Sequence, residues 1–316
     1  MAEDLSRVEA ALRAAAVTDD DFLTEVASHL IPAGGKRLRP AFVIASALVD
    51  RADGDAAAAL SEEMIRGGVA VELVHLGSLY HDDVMDDAET RRGIEAVNHR
   101  WGNLKAILAG DFLLAKASEL AASLGVEVAE LLAATIGRLC EGQVRELQLI
   151  YDTSRTEEQY LLAIRGKTAD LYATACRIGA LVGGCERSIV DHLTSFGNAY
   201  GMAFQIVDDI LDLVSSDEEL GKPSGNDIRE GVYTLPVIRM LSDGDPVGEL
   251  LGRPLDDADR DRARAIVVAG PHIATSVATA RTYIDEALAE LDGLPATPAV
   301  TGLAAAARNL LSALPD

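Results

Sequence analysis

The stretch LVHLGSLYHDDVMDD, residues 73–87, ends an apolar segment on a cluster of aspartates. Asp82, Asp83 and Asp86 form the pattern D-D-x-x-D. A helix brings residues four apart onto one face, so Asp82 and Asp86 are predicted to point the same way. Solvated helix faces seldom have such apolar surroundings.

The stretch YGMAFQIVDDILDLV, residues 200–214, repeats this arrangement with Asp208, Asp209 and Asp212. Neighbouring carboxylates repel each other, and a cation between them removes that cost. Oxygen ligands on helices suit Mg²⁺, which commonly links protein carboxylates to substrate phosphates. For one motif alone, a solvated helix face or helix end is the better interpretation; two such motifs favour a metal site.

Cations recur around these motifs although the formal net charge is −23. They lie in the loop GGKRLRP (residues 34–40), in the pair Arg91-Arg92, and at Lys167 and Lys222. Arginine can grip a phosphate with two hydrogen bonds, and lysine acts as a point charge. His75 precedes Asp82 by two helical turns and is either a core histidine or a phosphate donor. The combination predicts a site for diphosphates and metal ions.

Composition limits the class of protein. The chain has 316 residues, of which 49% are hydrophobic and only 4% aromatic, which favours helices over a β-sandwich. The strong negative charge argues against nucleic acid and anionic lipid as partners. The three cysteines match no metal spacing and indicate a reducing compartment. With no signal peptide or membrane-spanning run expected, the sequence predicts a cytoplasmic all-α protein with one domain, residues 1–316, and no convincing strand.

Apolar periodicity and Gly or Pro stops predict where the helices lie. Two short helices precede the basic loop, and a third begins with Pro40 in its first turn. The longer helices are predicted at about 56–86, 103–124, 127–151, 156–183, 187–214 and 272–292. Residues 215–232 are predicted to form a loop or lid.

The ordered motifs identify a family resemblance. GGKRLRP, the two D-D-x-x-D stretches, RRG, GDFLLAKA, EGQ, GKTADLYATA and GKPSGNDIREG…TLP together resemble the trans-isoprenyl diphosphate synthases, or polyprenyl synthetases. The resemblance implies the isoprenoid synthase fold, a helical bundle around a deep central cavity, usually as a homodimer. It also implies Mg²⁺-dependent head-to-tail condensation of isopentenyl diphosphate with an allylic diphosphate.

The resemblance also implies roles for single residues. The expected catalytic set is Asp82, Asp83, Asp86, Arg91, Lys167, Asp208, Asp209 and Lys222. The expected metal ligands are Asp82, Asp86, Asp208 and Asp212. Isopentenyl diphosphate would be held by Lys36, Arg39, His75 and Arg92. The allylic diphosphate would be held by Arg91, Lys167, Thr168, Gln205 and Lys222.

Product length is expected to depend on Gly77 and Ser78, which lie five and four residues before Asp82. In the family, large aromatics there stop chain growth, so two small residues favour a long-chain product of the kind used for a quinone side chain. Alternatively, these residues merely permit close helix packing. Val232 departs from the lysine of many relatives and removes one possible diphosphate contact.

Other functions are less favoured. A short-chain farnesyl or geranylgeranyl diphosphate synthase is the main alternative. A terpene cyclase would need no pocket for isopentenyl diphosphate, and a non-catalytic partner subunit tends to lose one aspartate motif.

Overall fold

The computed structural model describes residues 2–51, 61–220 and 223–314. Over these ranges helices account for almost all regular structure, and the strands are confined to one short hairpin, β1 (Thr90–Arg91) and β2 (Ile94–Glu95). The prediction of an all-α protein is confirmed. The hairpin was not predicted, because two-residue strands are too short to show an alternating pattern.

Two compact units make up the chain, each built from three segments. Unit 1 contains residues 1–136, 174–193 and 294–301, and unit 2 contains residues 137–173, 194–293 and 302–316. That the chain forms one domain stays a prediction.

Unit 1 holds the first aspartate motif and the basic loop. Its helices are α1 (Ala2–Ala15), α2 (Asp21–Ser28), α3 (Leu38–Ala47), α4 (Glu62–Met85), α5 (Val97–Trp101) and α6 (Asn103–Ser123). The predicted start of α4 near residue 56 lies outside the described residues. Its observed start follows Ser61, whose hydroxyl accepts the Met64 amide and so caps the helix.

Helix α4 is apolar on most of its circumference, with Leu73, Val74, Leu76 and Tyr80 all buried. It packs against α1, α3 and α6. A helix buried this way is held by its neighbours, which fixes the position of the aspartates at its C-terminal end.

Four helices contribute residues to both units: α7 (Val126–Leu147), α9 (Asp170–Gly183), α10 (Arg187–Val214) and α16 (Pro298–Arg308). The remaining helices of unit 2 are α8 (Glu157–Ile164), α11 (Asp217–Leu220), α12 (Asn226–Glu230), α13 (Leu235–Ser242), α14 (Asp257–Ala269) and α15 (His272–Glu290). Unit 2 has a core that includes Tyr160, Met202, Ile206, Ile210 and Tyr233.

The predicted helix over 156–183 is interrupted. A π-helical turn, Arg165–Ala169, separates α8 from α9. Such turns often lie at functional sites, and this one carries Lys167 and Thr168. The predicted loop over 215–232 contains α11 and α12. None of the helices in the described part of the chain combines the length and hydropathy needed to cross a bilayer.

Candidate functional site

The first aspartate motif closes α4. Asp82 is partly buried and Asp86 is exposed, while Asp83 between them is fully buried. Asp86 caps the helix, and its amide donates to the Asp82 carbonyl at 2.8 Å. That Asp82 and Asp86 share a face stays a prediction.

Asp83 is held inside unit 1 by an arginine. Nε and Nη2 of Arg91 lie 2.6 and 2.5 Å from Asp83 Oδ1. Burial raises the pKa of Asp83, and the charge of Arg91 opposes that shift. About a third of the Arg91 side chain stays exposed. Asp83 thus orients Arg91, and its expected catalytic role stays a prediction.

The hairpin after α4 places Arg92, the second arginine of the Arg91-Arg92 pair, next to the basic loop. Arg92 and Gly93 form its turn with φ of 53° and 76°, the left-handed conformation that tight hairpin turns require at both central residues. Arg92 Nη1 donates to the Gly34 carbonyl at 2.5 Å. The turn therefore ties the arginine pair to the basic loop.

The glycines of the basic loop allow this approach. A Cβ at Gly35 would lie 3.0 Å from Arg92 Nη1, and φ of 146° at this residue disfavours any side chain. Lys36 is exposed and Arg39 is partly exposed. The structure thus brings part of the expected isopentenyl diphosphate set together within unit 1.

His75 is part of this cluster. Arg92 Nη2 lies 3.3 Å from His75 Nε2, and because arginine only donates, Nε2 must be the accepting nitrogen. Burial, and then the charges of Arg39 and Arg92, lower the pKa of His75 well below its usual range. His75 is therefore neutral near pH 7.

Arg37 differs from its neighbours in the loop. Its guanidinium is buried, Nη1 donates to Glu72 at 2.8 Å, and Nε donates to Glu9 at 2.9 Å. Glu72 is only 2% exposed. Arg37 therefore neutralises an internal carboxylate and belongs to the structure of the loop.

The second aspartate motif lies in the C-terminal part of α10. Asp208 is exposed, whereas Asp209 and Asp212 are buried. An Asp212 carboxylate oxygen accepts the Asp227 amide at 3.3 Å, and the Asp212 carbonyl accepts the Gly225 amide at 2.7 Å. Asp212 thus anchors the start of α12, a contact not predicted from the sequence; its expected role as a metal ligand stays a prediction.

Asp209 accepts two hydrogen bonds inside unit 2. Tyr160 Oη lies 2.6 Å from Oδ2, and Gln205 Nε2 lies 2.7 Å from Oδ1. Gln205 Oε1 in turn accepts from Thr168 Oγ1 at 2.7 Å. Burial raises the pKa of Asp209 to about 7, and the two donated hydrogen bonds act in the opposite direction.

Lys167 projects from the π-helical turn. Its Nζ lies 2.5 Å from Glu146 Oε1 on α7, and about a third of its side chain is exposed. Gly142 and Gly166 allow the turn to approach α7, since a Cβ at Gly142 would lie 2.5 Å from the Lys167 amide nitrogen. Lys222, the other lysine expected here, lies outside the described residues.

Gly77 packs against α6. A Cβ at this position would lie 3.1 Å from both the Gly110 carbonyl oxygen and Leu114 Cγ. The Ser78 hydroxyl donates to the His75 carbonyl, and Ser78 is partly exposed. Gly77 thus packs closely against α6, as the alternative expected, and the role of Gly77 and Ser78 in product length stays a prediction.

Sequence reasoning missed three residues of these sites, namely Glu146, Tyr160 and Arg155. Arg155 is 3% exposed, and its Nη1 donates to the Tyr233 carbonyl at 3.0 Å. Tyr160 lies between the polar start and the apolar end of α8, and Glu146 and Arg155 lie in polar sequence, so no motif distinguishes them.

The carboxylates suit a divalent metal ion by their chemistry. Asp82, Asp86 and Asp208 offer oxygen ligands at accessible positions. Within the described ranges, no three His, Cys, Asp or Glu side chains form a ready-made group for a metal ion. Mg²⁺ needs no such group, because it keeps several waters and binds through one or two carboxylates together with substrate phosphates.

Comparison with known sequences identifies one family and several relatives that align over most of the chain. The family described as Polyprenyl synthetase matches residues 20–267. A nonaprenyl diphosphate synthase of Mycobacterium tuberculosis is 39% identical over 95% of this chain and 90% of its own length. The heptaprenyl diphosphate synthase component 2 of Geobacillus stearothermophilus is 40% identical over 93% of this chain and 91% of its own. A geranylgeranyl diphosphate synthase of Methanosarcina mazei is 39% identical over 72% of this chain and 70% of its own.

Solved structures agree in fold over nearly the whole chain. A decaprenyl diphosphate synthase from Rhodobacter capsulatus has a TM-score of 0.90 and 33% identity, covering 100% of this chain and 97% of that one. A polyprenyl synthase from Caulobacter crescentus, complexed with calcium and isoprenyl diphosphate, has a TM-score of 0.91 and 33% identity, covering 98% and 94%.

Proposed function

The chain belongs to the polyprenyl synthetase family, and from this premise we propose that it is a prenyltransferase. The proposed reaction condenses isopentenyl diphosphate head-to-tail with an allylic diphosphate and makes an all-trans polyprenyl diphosphate. Membership confirms the family resemblance and the isoprenoid synthase fold. The observation that carries the proposal is the convergence of Arg39, His75 and Arg92 within unit 1 of a strongly acidic protein. The positive charges of Arg39 and Arg92 repel each other, and a bound diphosphate would add to the negative charge of Glu72 in offsetting that repulsion.

Isopentenyl diphosphate is assigned to this cluster. Arg92 would grip its diphosphate, and the neighbouring Arg39 and Lys36 would add charge. His75, neutral because of its lowered pKa, would donate one hydrogen bond from Nδ1 rather than add a further cation. Gly34 and Gly35 leave room for backbone to approach the ligand.

The allylic diphosphate is assigned to Arg91, Lys167, Lys222, Thr168 and Gln205. Arg91 and Lys167 are each ion-paired with a carboxylate and each keep about 30% of the side chain exposed. Fixed cations stabilise the negative charge that grows on the leaving oxygens when the allylic C–O bond breaks.

Magnesium is the proposed metal, held by Asp82, Asp86 and Asp208, with Asp212 as a further candidate ligand. The calcium and isoprenyl diphosphate of the Caulobacter crescentus enzyme support a divalent ion in this family. When bound, Mg²⁺ would add positive charge beside the leaving diphosphate.

The protein must also hold the two substrates close together and exclude water from the site. The isopentenyl double bond must meet the allylic carbon at near-attack distance, and water must be excluded because it would capture the carbocation. No candidate side chain is an obvious base, so we assign the final proton to the departing diphosphate.

We propose a long-chain product, which the nonaprenyl, heptaprenyl and decaprenyl names of the relatives support. Short-chain synthesis remains the second candidate, because the geranylgeranyl relative is equally identical over a shorter stretch. Ser78, small and partly exposed, also supports the longer product.

We further propose a homodimer in the cytoplasm. Leu104, Ile107 and Leu108 form an exposed apolar face on α6, of the kind that marks a protein interface. The three cysteines are free thiols, which supports a reducing compartment.

The test is chromatography of products made by the purified chain from labelled isopentenyl diphosphate, Mg²⁺ and allylic primers of several lengths. Long products from the chain alone are expected, and Asp82→Ala or Asp208→Ala should lower turnover by orders of magnitude. Consumption of the allylic diphosphate without isopentenyl diphosphate would indicate a cyclase. Inactivity of the pure chain would contradict the proposal.

A further inference from the structure

Tyr160 begins a buried chain of hydrogen bonds in unit 2. Its side chain is 1% exposed and lies among the apolar residues of that unit's core. Its hydroxyl meets Asp209 Oδ2 at 2.6 Å. Tyr160 donates this bond, and the other carboxylate oxygen of Asp209 is left for a second donor.

The bond from Tyr160 sets the orientation of the next side chain. With Oδ2 engaged, Asp209 Oδ1 takes the amide nitrogen of Gln205 at 2.7 Å. The Gln205 amide therefore turns its Oε1 towards Thr168 Oγ1, 2.7 Å away. The direction of every bond follows from the acceptor at Asp209. Gln205 keeps one amide N–H that these bonds do not use.

A buried cation compensates the charge at this point. The Arg155 guanidinium lies over the Tyr160 ring, 5.5 Å from its centre, and is 3% exposed. Nη1 donates to the Tyr233 carbonyl, whereas Nε and Nη2 have no hydrogen-bond partner in the described part of the chain. The charge of Arg155 also acts on Asp209, where it opposes burial and the charges of Asp208 and Glu146, which raise the pKa of that carboxyl.

We propose that Tyr160 is a positioning residue for the allylic diphosphate, because its hydroxyl, acting through Asp209, holds the Gln205 amide with one N–H available to the substrate. The inference rests on the proposed function, which assigns Gln205 and Thr168 to that diphosphate. Tyr160 itself acts without touching the substrate. Without its hydroxyl, Asp209 can rotate and the Gln205 amide loses its fixed orientation.

The decisive variant is Tyr160→Phe, with Tyr233→Phe as its matched control. Tyr233 is equally buried in unit 2, and its hydroxyl accepts the Gly252 amide at 2.6 Å. Both changes remove one buried hydroxyl, so both should lower the melting temperature. Only Tyr160→Phe should raise KM for the allylic diphosphate, by about tenfold for one charged hydrogen bond, with kcat and KM for isopentenyl diphosphate changed much less.

A double-mutant cycle separates positioning from general packing. Gln205→Ala alone should raise the allylic KM, and adding Tyr160→Phe to it should have little further effect, because both act on one contact. Additive effects, or an allylic KM for Tyr160→Phe equal to the wild-type value, would overturn the inference. An inactive wild-type enzyme would instead contradict the proposed function.

Asp209→Asn tests the same relay if Tyr160→Phe does not fold. Asparagine replaces one accepting oxygen with an NH2 donor, so Tyr160 and Gln205 can no longer each donate to a separate oxygen of residue 209. The allylic KM should again rise selectively. A normal allylic KM in this variant would contradict a relay that needs two accepting oxygens at residue 209.

Discussion

Lys36 and Arg37 are adjacent cations of one loop whose side chains end in different surroundings. Arg37 is buried against Glu72 and Glu9, whereas Lys36 is exposed. A buried ion pair that loses one member leaves an uncompensated charge in the interior. Arg37 therefore serves the folding of the loop, whereas Lys36 is the cation that the loop offers to a ligand.

Arg37→Ala should destabilise the protein by about 3–5 kcal/mol, because Glu72 would remain buried without its partner. Lys36→Ala should change the free energy of unfolding by less than about 0.5 kcal/mol and should raise KM for isopentenyl diphosphate. Chemical denaturation and steady-state kinetics on both variants check this. Equal stabilities would show that Arg37 is not structural.

His75 gives a pH dependence of stability. Its pKa is lowered in the folded protein relative to the usual 6.5, so the unfolded chain binds the proton more tightly. As pH falls below about 6.5, towards the lowered native pKa, wild-type stability should therefore decline relative to a variant without the group.

The comparison is the difference in unfolding free energy between wild type and His75→Gln, measured from pH 8 to pH 5. Subtraction removes the contributions of Asp83 and Asp209, whose raised pKa values act in the opposite direction. A difference that stays constant with pH would contradict the neutral state of His75.

At the scale of the element, the π-helical turn Arg165–Ala169 needs α7 close to it. Gly142 provides that approach, whereas a methyl group added at Gly137 on the same helix would have no other atom within 4 Å. Gly137→Ala should therefore stabilise the helix by up to about 1 kcal/mol. Gly142→Ala should cost about 1–3 kcal/mol through overpacking and lower kcat, because Lys167 would shift.

Thermal unfolding and turnover of the two glycine variants provide the measurement. Both variants replace glycine with alanine on the same helix, so they differ only in the atoms that surround the added methyl group. A stable, fully active Gly142→Ala protein would show that the turn does not depend on this contact.

The crossing of α4 and α6 gives a second element-scale prediction. A side chain at Gly77 would meet the backbone of Gly110, so Gly77→Phe should destabilise the protein severely. Ser78→Phe, at a partly exposed position, should leave the fold intact and shorten the product. Product chromatography and melting temperatures separate the two variants, and an unchanged product from Ser78→Phe would place the limit of chain growth elsewhere.

At the scale of the whole molecule, the exposed face of α6 predicts association. Leu104 and Leu108 are 79% and 63% exposed, and burying such side chains is a main source of interface stability. Leu104→Lys with Leu108→Glu should convert a dimer to a monomer in sedimentation equilibrium. Val17→Lys, at an apolar position 59% exposed outside this face, should leave the dimer unchanged; a monomeric wild type would contradict the interface.

The sequence by itself determined the fold class and the family, and it predicted the residue types of the candidate sites, because apolar periodicity and the order of charged motifs are local properties of the chain. It also indicated that Asp82 and Asp86 share one face of their helix. It could not determine which charged side chains are buried and paired with other side chains inside the protein. Only tertiary packing decided that Arg37, Asp83 and Asp209 are buried and bound by side chains from other elements. The reason is that packing either gives a charged side chain a partner in the interior, where it stabilises the fold, or leaves it exposed to solvent, where it can bind a ligand.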